Sequence, residues 1–317
     1  MALPEFNHIH CSSRFDRSAE SLEASLDRWM QDCSLITLTE VRRNYRAATM
    51  REKGWAHFNS KKDNASDDCA IVWKTEYWSR GLAVTRKLNN RAYYELSGRR
   101  CADIHSASVV LRRKSSGHKM LVSVTHMPAH IEGAHGWRSD AAHFRARKAA
   151  YLSSLANWNT HLDNLERRVR PDATLVVADW NLSLKEHWVR NLLHDRFGQE
   201  YRQAWTLFPT DGGSLDGGPL GPLGAPGKSN HDRIIDGSVY KGLKVTHHPR
   251  LMPRDRSSDH RPYKESFRFA GKAERPDDDT ASGDTHKGDA WWGFGDYRDD
   301  EIYEVSTATG AEGGEVL

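Results

Sequence analysis

Acidic, amide and imidazole side chains stand where apolar runs of this sequence end. Glu40 closes the run LITLTE, His126 closes LVSVTH, and Asp179 and Asn181 follow the run LVVA. Carboxylate oxygens are hard ligands that suit Mg²⁺ or Mn²⁺, and an imidazole can gain or lose a proton near pH 7. If the fold brings these side chains together, they can carry out metal-assisted hydrolysis.

Three further polar residues occupy similar positions later in the chain. Asp236 ends the segment RIID, and Asp259 and His260 lie in an SDH triplet ahead of the last apolar run. Each has a plain structural explanation on its own, because a strand-end Asp or Asn most often forms a turn or caps a helix. The functional prediction therefore depends on the combination and not on any single residue.

Alternating strands and helices must position these side chains. Apolar residues spaced for one helical face predict helices at 17–30 and 144–165, and a capping box predicts a third helix that starts near 183–186. Strands outnumber helices, and the hairpin-like stretch at 69–125 argues against a purely parallel sheet. We expect an α/β protein with two packed mixed sheets flanked by helices. The predicted strands span residues 35–40, 69–73, 107–111, 120–125, 174–178, 234–235, 238–245 and 263–269.

The composition is that of a globular protein, with 38% hydrophobic residues and 11 Trp. No apolar run is long enough for a membrane-spanning helix, and the first residues lack the pattern of a secretory signal. The four Cys are spaced for neither a disulfide framework nor a structural zinc. His126 and His130 have a zinc-like spacing, but Pro128 excludes a regular helix between them. We expect a cytoplasmic protein with reduced thiols.

Charge is distributed unevenly along the chain. The net charge is only +3, but residues 271–317 contain four basic and thirteen acidic residues, a balance of −9, and residues 1–270 therefore carry +12. A body with this much positive charge attracts polyanions. The same charge can also serve only to keep a protein soluble. The acidic stretch lacks helical or strand periodicity, which is typical of disorder. We predict a folded body at 1–270 and a disordered tail at 271–317.

Taken in order, the polar motifs resemble those of the endonuclease/exonuclease/phosphatase superfamily, which has the DNase I-like fold. Each motif alone is weak, but six of them in register are specific. The resemblance covers about residues 5–270 and implies a four-layer sandwich that forms a catalytic domain. Because Pro4 precedes Asn7 so closely, we expect a short first strand. The motifs are Phe6-Asn7, Leu38-Thr39-Glu40-Val41, Val124-Thr125-His126-Met127, Ala178-Asp179-Trp180-Asn181, Ile235-Asp236 followed by Gly242-Leu243, and Ser258-Asp259-His260-Arg261-Pro262.

The resemblance implies a Mg²⁺ or Mn²⁺ site formed by Glu40 and Asp259, which Asn7 completes or supports. It also implies that Asp179 orients or deprotonates the attacking water and that Asn181 donates a hydrogen bond to a phosphoryl oxygen. Asp179 and Asn181 are separated by one residue on a segment that we predict to be extended. Side chains at alternate positions of a strand lie on the same face, so we expect both of them on one side of the segment.

The two motif histidines, His126 and His260, are implied to contact the phosphate. The family pairs its late His with an Asp, for which we prefer Asp236 and keep Asp232 as the alternative. Such a partner fixes the tautomer and raises the basicity of the ring.

These features predict a Mg²⁺- or Mn²⁺-dependent phosphodiesterase, a nuclease with DNA as the favoured substrate. The first alternative is a phosphatase or phosphodiesterase of the same fold that acts on lipid head groups or small phosphoesters. The second is a catalytically silent scaffold that binds nucleic acid. We expect a monomer with no membrane partner. Its tail is either solvated without a role in activity, or contacts its own basic groove or an unknown protein.

Overall fold

Most of the predicted strands and helices are present in the structure, a computed structural model that describes residues 5–12, 19–41, 51–60, 68–89, 104–128, 141–184, 186–203, 235–252 and 260–271. Within these residues the chain forms twelve strands and three helices. The helices are α1 (Ala19–Asp32), α2 (Ala141–Val169) and α3 (His187–Phe197). The strands are β1 (Glu5–Ser12), β2 (Leu35–Val41), β3 (Trp55–Asn59), β4 (Asp68–Lys74), β5 (Trp78–Lys87), β6 (His105–Arg113), β7 (Lys119–His126), β8 (Ala173–Asp179), β9 (Arg202–Gln203), β10 (Asp236–Lys241), β11 (Leu243–Leu251) and β12 (Tyr263–Phe269).

The strands form two six-stranded sheets. The first has the order β11-β12-β1-β2-β4-β3 and the second β5-β6-β7-β8-β10-β9. Each sheet is mixed, because β1 runs parallel to β2 and β7 parallel to β8, whereas the other pairs are antiparallel. Parallel neighbours need a crossover connection, which contains α1 in the first sheet and α2 in the second.

The elements stack as four layers. On the outer face of the first sheet, α1 buries Leu26 and Trp29 against Ile9 and Ile36. The two inner faces share an apolar layer that includes Phe6, Ile71, Val122, Leu175 and Phe267. On the outer face of the second sheet, α2 buries the apolar stripe expected from its sequence spacing: Tyr151, Leu155, Trp158 and Leu162. The two packed mixed sheets flanked by helices are thus confirmed.

Three local predictions are wrong. β1 is eight residues long and not short, since Pro4 precedes the strand and interrupts none of its ladder. The capping box does not form, because α3 begins at His187 with Glu186 at its N-cap and has no side-chain cap. The strand expected at 234–235 does not include Ile235, because β10 begins at Asp236. The region 238–245, where we expect further strands, contains parts of β10 and β11, which belong to different sheets.

Gly242 separates those two strands and lets the chain pass from the second sheet to the first. Its φ is +69°, and a Cβ atom built there would lie 2.2 Å from the carbonyl oxygen of Asp172. Both the left-handed backbone and the close approach require glycine. The carbonyl of Gly242 also accepts a hydrogen bond from the backbone N–H of Ala270 at 2.9 Å.

Other sequence-based expectations concern cysteines, membranes and the tail. Cys11, Cys33 and Cys69 are buried and form no disulfide. No helix in the described part of the chain has the length and apolar composition that crossing a bilayer requires. Residues 272–317, and with them the predicted tail, lie outside the described residues.

Candidate active site

Strand register brings the ends of five strands to one edge of the sandwich. In the first sheet, parallel pairing places Ser12 of β1 beside Thr39 of β2. In the second sheet, parallel pairing places His126 of β7 beside Asp179 of β8, and the antiparallel β10 begins with Asp236 opposite Asp179. Because side chains alternate between faces along a strand, these residues point into the space between the sheets.

Glu40 reaches this space through an irregularity in β2. Strict alternation would put it on the face opposite Thr39, but Glu40 has a φ of +56° and the pairing with β4 shifts register between Leu38 and Val41. A positive φ is uncommon for a residue other than glycine, and bulges of this kind re-aim a side chain. Its carboxylate thereby comes within 3.6 Å of His126 Nε2.

His126 lies between two carboxylates. Its Nε2 is 3.6 Å from Glu40 Oε1 and also 3.6 Å from Asp179 Oδ2. Glu40 and His126 keep about a fifth of their side-chain surface exposed, at 20% and 17%, whereas Asp179 is at 2%. The edge therefore presents one accessible carboxylate and one accessible imidazole in front of a buried acid.

His260 bridges the two buried aspartates. Its Nδ1 is 2.7 Å from Asp236 Oδ2, and its Nε2 is 3.9 Å from Asp179 Oδ2. An ionised carboxylate only accepts hydrogen bonds, so Nδ1 must be the donor. This leaves Nε2 facing Asp179 with its lone pair when the ring is neutral. The structure thus brings Asp236 to His260, and Asp232 lies outside the described residues.

The two aspartates have opposite electrostatic environments. Burial, followed by the neighbouring carboxylate of Asp236, raises the pKa of Asp179 above its usual range. Burial alone would also raise the pKa of Asp236, but contacts with His260 and His10 outweigh it and hold that pKa below the usual range. One carboxylate is therefore kept ionised beside a histidine, and the other is adapted to take up a proton.

Asn181 occupies a turn and not an extended segment. β8 ends at Asp179, and Asn181 has a φ of +53°. Its side-chain Nδ2 donates to the carbonyl of Met127 at 2.7 Å, and its backbone N–H donates to Asp179 Oδ1 at 3.0 Å. The prediction that extended backbone places both side chains on one side is wrong. Asn181 instead holds the Asp179 carboxylate through its main chain.

The structure does not bring Asn7 to this edge. Its Nδ2 donates to the carbonyl of Asp32 at 3.0 Å, and its Oδ1 accepts from Ser266 Oγ at 2.7 Å. Asn7 precedes Ser12 by five strand residues, which is about 16 Å. It therefore lies too far from Glu40 to share a metal with it, contrary to the sequence prediction. Asp259, the other predicted ligand, lies outside the described residues.

Three polar residues of β1 take part in the site although sequence reasoning did not select them. Ser12 Oγ donates to Asp179 Oδ2 at 3.3 Å. His10 is fully buried, with Nδ1 2.9 Å from Thr37 Oγ1 and Nε2 3.5 Å from Asp236 Oδ1. His8 contacts the same Thr37 hydroxyl at 2.8 Å. Their period-two spacing in the sequence HIHCS was the available signal, since it puts all three on one face.

One group of described residues has the geometry to hold a metal ion. Asp179, Asp236 and His260 offer ligand atoms that all lie within 4.8 Å of one another. Mg²⁺ prefers oxygen ligands and keeps several waters, whereas this group is buried, includes an imidazole and already uses Asp236 Oδ2 as an acceptor. It fits proton handling better than magnesium binding. Glu40 is the partly exposed carboxylate that suits a hard cation.

No family model and no curated protein matches this sequence, but solved structures match its fold. An endonuclease/exonuclease/phosphatase family protein from Bacteroides thetaiotaomicron is 12% identical and has a TM-score of 0.60, over 84% of this chain and 96% of that one. A mannosyl-6-phosphatase from the same organism is 12% identical with a TM-score of 0.61, over 83% and 99% of the two chains. D. rerio TDP2, in complex with a single-stranded DNA product, is 10% identical with a TM-score of 0.58, over 84% and 99%. This chain therefore has the DNase I-like fold of the endonuclease/exonuclease/phosphatase superfamily.

Proposed function

We propose that this protein is a divalent-metal-dependent phosphodiester hydrolase whose substrate is a nucleic acid, with DNA as the first choice. The observation that carries the proposal is the arrangement of His260 between two buried aspartates, Asp236 and Asp179. It lies beside a partly exposed carboxylate and a second imidazole on a DNase I-like fold. Phosphodiester cleavage needs an oriented water, neutralised phosphoryl oxygens and a stabilised leaving oxygen.

We assign each of these requirements to different side chains of the candidate site. Asp236 holds the Nδ1 proton of His260, which leaves Nε2, on the side of Asp179, to contact the phosphoryl group. Asp179, held by Ser12 and by the backbone of Asn181, orients the attacking water. His126 lies 3.6 Å from Asp179 and can also contact the phosphate.

Glu40, together with Asp259 as the resemblance implies, would hold the Mg²⁺ or Mn²⁺ ion. When bound, such an ion supplies Lewis-acid stabilisation of charge on the phosphoryl and leaving oxygens. The bulge that turns Glu40 toward His126 supports this assignment. Asn7 has no part in it.

The choice of a polymeric substrate is supported by charge. The body at 1–270 carries +12, which favours an extended anion over a small one.

A second candidate function is hydrolysis of a small phosphoester, which the likeness to a mannosyl-6-phosphatase favours. A silent scaffold is disfavoured, because the buried Asp179 and Asp236 carboxylates would serve no purpose in binding alone.

One incubation series tests these alternatives. The purified protein is mixed separately with supercoiled plasmid, single-stranded RNA, a generic phosphodiester and a phosphomonoester, each with Mg²⁺ or with EDTA. We expect nicking of plasmid with Mg²⁺ and none with EDTA. His260→Ala should abolish the nicking, whereas His118→Ala, a matched change in the β6–β7 turn, should not. Turnover of the phosphomonoester alone would replace the nuclease proposal with the phosphatase one.

A further inference from the structure

A cavity of about 570 Å³ opens at the end of β1 opposite the candidate active site. Its walls come from the start of β1, the end of α1, the turn before β5, the end of β6, and β11 and β12, and they include Glu5, Asn7, Asp32, Tyr77, Arg113 and Lys264. The volume falls within the range of small-molecule sites, about 300–1,000 Å³. None of the residues proposed for catalysis lines it.

Arg113 is the unusual residue of this cavity. Its side chain is buried, with only 8% of the residue exposed. Nη2 donates to the backbone carbonyl of Glu5 at the long distance of 3.5 Å, and Nε and Nη1 have no hydrogen-bond partner in the described part of the chain. The guanidinium lies 4.8 Å from the ring centre of Tyr77 and 5.0 Å from that of Trp78.

An arrangement of this kind leaves a buried positive charge incompletely compensated. Although burial lowers the pKa of Arg113, a guanidinium stays protonated at physiological pH. Buried charges in proteins are normally paired or hydrogen-bonded, and two aromatic faces replace only part of the lost hydration. Two buried nitrogens of the guanidinium, Nε and Nη1, thus lack an acceptor among the described residues, and an anion beside Arg113 would compensate the charge.

Basic residues predominate among the other charged walls of the cavity. Lys74, Arg250 and Lys264 line it together with Arg113, against the acidic Glu5 and Asp32. Lys74 is partly engaged, since its Nζ lies 3.1 Å from Glu76 Oε2. Lys264 lies on β12 in the register position opposite Ile9 of β1. The four basic side chains exceed the two acidic ones by two positive charges, which matches the charge of a dianion.

We propose that this cavity is a second binding site, for the phosphate group of a small soluble phosphomonoester, with Arg113 as its anchor. The planar guanidinium suits phosphate oxygens, and Lys264 supplies a second positive charge. The cavity size fits a compact soluble molecule. Because no residue of the candidate active site takes part, the proposal is independent of the proposed catalytic function.

Calorimetric titration tests it, with inorganic phosphate and glycerol 3-phosphate as probes. The titrations use low ionic strength and EDTA, so that no metal-dependent turnover occurs. We expect Arg113→Met to weaken binding of both probes tenfold or more, since hydrogen bonds to a charged group are worth about 1.5–3 kcal/mol. Arg112→Met is the matched control, because Arg112 is the exposed neighbour on the same strand, and it should bind like the wild type. His260→Ala should keep the binding that depends on Arg113, which separates this cavity from the active site.

Wild-type affinity in Arg113→Met, or no measurable binding by the wild type, would overturn the proposal. If a thermal melt shows that Arg113→Met is not folded, Lys264→Met replaces it as the test variant. It should also weaken binding of both probes, and an unchanged affinity would count against the site. Succinate serves as a dicarboxylate competitor. Binding of succinate at least as tight as that of phosphate would exclude the assignment to phosphate, whereas clearly weaker binding would support it.

Discussion

The tautomer of His260 is fixed by the hydrogen bond that Nδ1 donates to Asp236 at 2.7 Å. We expect Asp236→Asn to reduce turnover at least about a hundredfold, because an amide can stabilise the wrong tautomer. The double variant with His260→Ala should lose little more than His260→Ala alone, since the two residues act as one unit. Single-turnover rates at saturating Mg²⁺ measure this, with circular dichroism as the folding control. Strictly additive losses would show that Asp236 does not act through His260.

Glu40 is the accessible carboxylate of the site, and its proposed partner is a metal ion. Glu40→Gln removes the charge and keeps the shape, so we expect the Mg²⁺ concentration needed for half-maximal activity to rise about tenfold or more. Glu76→Gln is the exposed control and should titrate like the wild type. Superimposable Mg²⁺ titrations of the wild type and Glu40→Gln would remove Glu40 from the metal site.

His10 makes stability depend on pH in a direction that its burial determines. Burial first, and then the nearby His8, lower the pKa of His10 below its ordinary 6.5, although Asp236 and Glu265 oppose this. Among the described residues, the ring of Tyr263 also lies beside His10, with the two ring centroids 5.4 Å apart. The neutral form of His10 is therefore the one that the fold stabilises. Its contribution is complete above about pH 6.5 and is lost as the pH falls toward the folded-state pKa, because the unfolded chain takes up the proton first.

Urea unfolding at pH 7.5 and pH 5.5, with wild type and His10→Gln, isolates this effect. The wild type should lose more free energy of unfolding between the two pH values than the variant does, since only the wild type carries an ionisable side chain at position 10. An equal loss in the two proteins would mean that His10 titrates alike in the folded and unfolded states.

Residue types at strand ends were enough to select several side chains that the structure brings together in the candidate site. Glu40, His126, Asp179, Asp236 and His260 converge because strand ends on one edge of a sandwich meet. Motif matching failed for β1, because it identifies residue types and not the register in which a strand lies. Placing Asn7 correctly required the pairing of β1 with β2, a contact between residues far apart in the chain.

At the scale of elements, the passage of the chain between the two sheets depends on Gly242. Gly242→Ala puts a Cβ atom in conflict with the carbonyl of Asp172 and forces an unfavourable φ, so we expect a loss of more than about 2 kcal/mol in the free energy of unfolding. Gly198→Ala is the control, since Gly198 also has a positive φ but no atom within 4 Å of the added Cβ. It should cost about 1–2 kcal/mol. Equal costs, measured by urea unfolding, would mean that the close approach at Gly242 is relieved by backbone movement.

Strands and helices whose buried residues form a continuous or periodic apolar pattern were predicted well. Strands that combine buried and partly exposed residues without such a pattern were not. β7, β8 and the α2 stripe are buried runs whose period is visible in the sequence. By contrast, most residues of β5 are only partly buried, and β3 is buried mainly at Trp55. Their pattern is set by neighbouring strands, so local periodicity does not reveal them. The turn at Asn181 was missed for a similar reason, since a non-glycine residue with positive φ carries no pattern of its own.

For the whole molecule, the positive charge of the body determines how a nucleic acid would bind. A chain with +12 over residues 1–270 releases counterions from several phosphates on binding, so affinity should fall by orders of magnitude between about 50 and 200 mM salt. The inactive variant Asp179→Asn, titrated with duplex DNA in EDTA, gives this slope without turnover. A flat response would point to a small phosphoester held by few contacts.

The pairing of the first strand with the last governs when the protein can fold during synthesis. β1 lies between β2 and β12, and its antiparallel partner β12 begins only at Tyr263. A ribosome that adds about 10 residues per second needs about 25 s to travel from the end of β1 to the start of β12. During that time one edge of β1 has no ladder partner, and the buried histidines of its inner face lack Glu265, which β12 supplies. The nascent chain therefore exposes an incomplete sheet edge until β12 has been synthesised, a state that is prone to pairing with other chains.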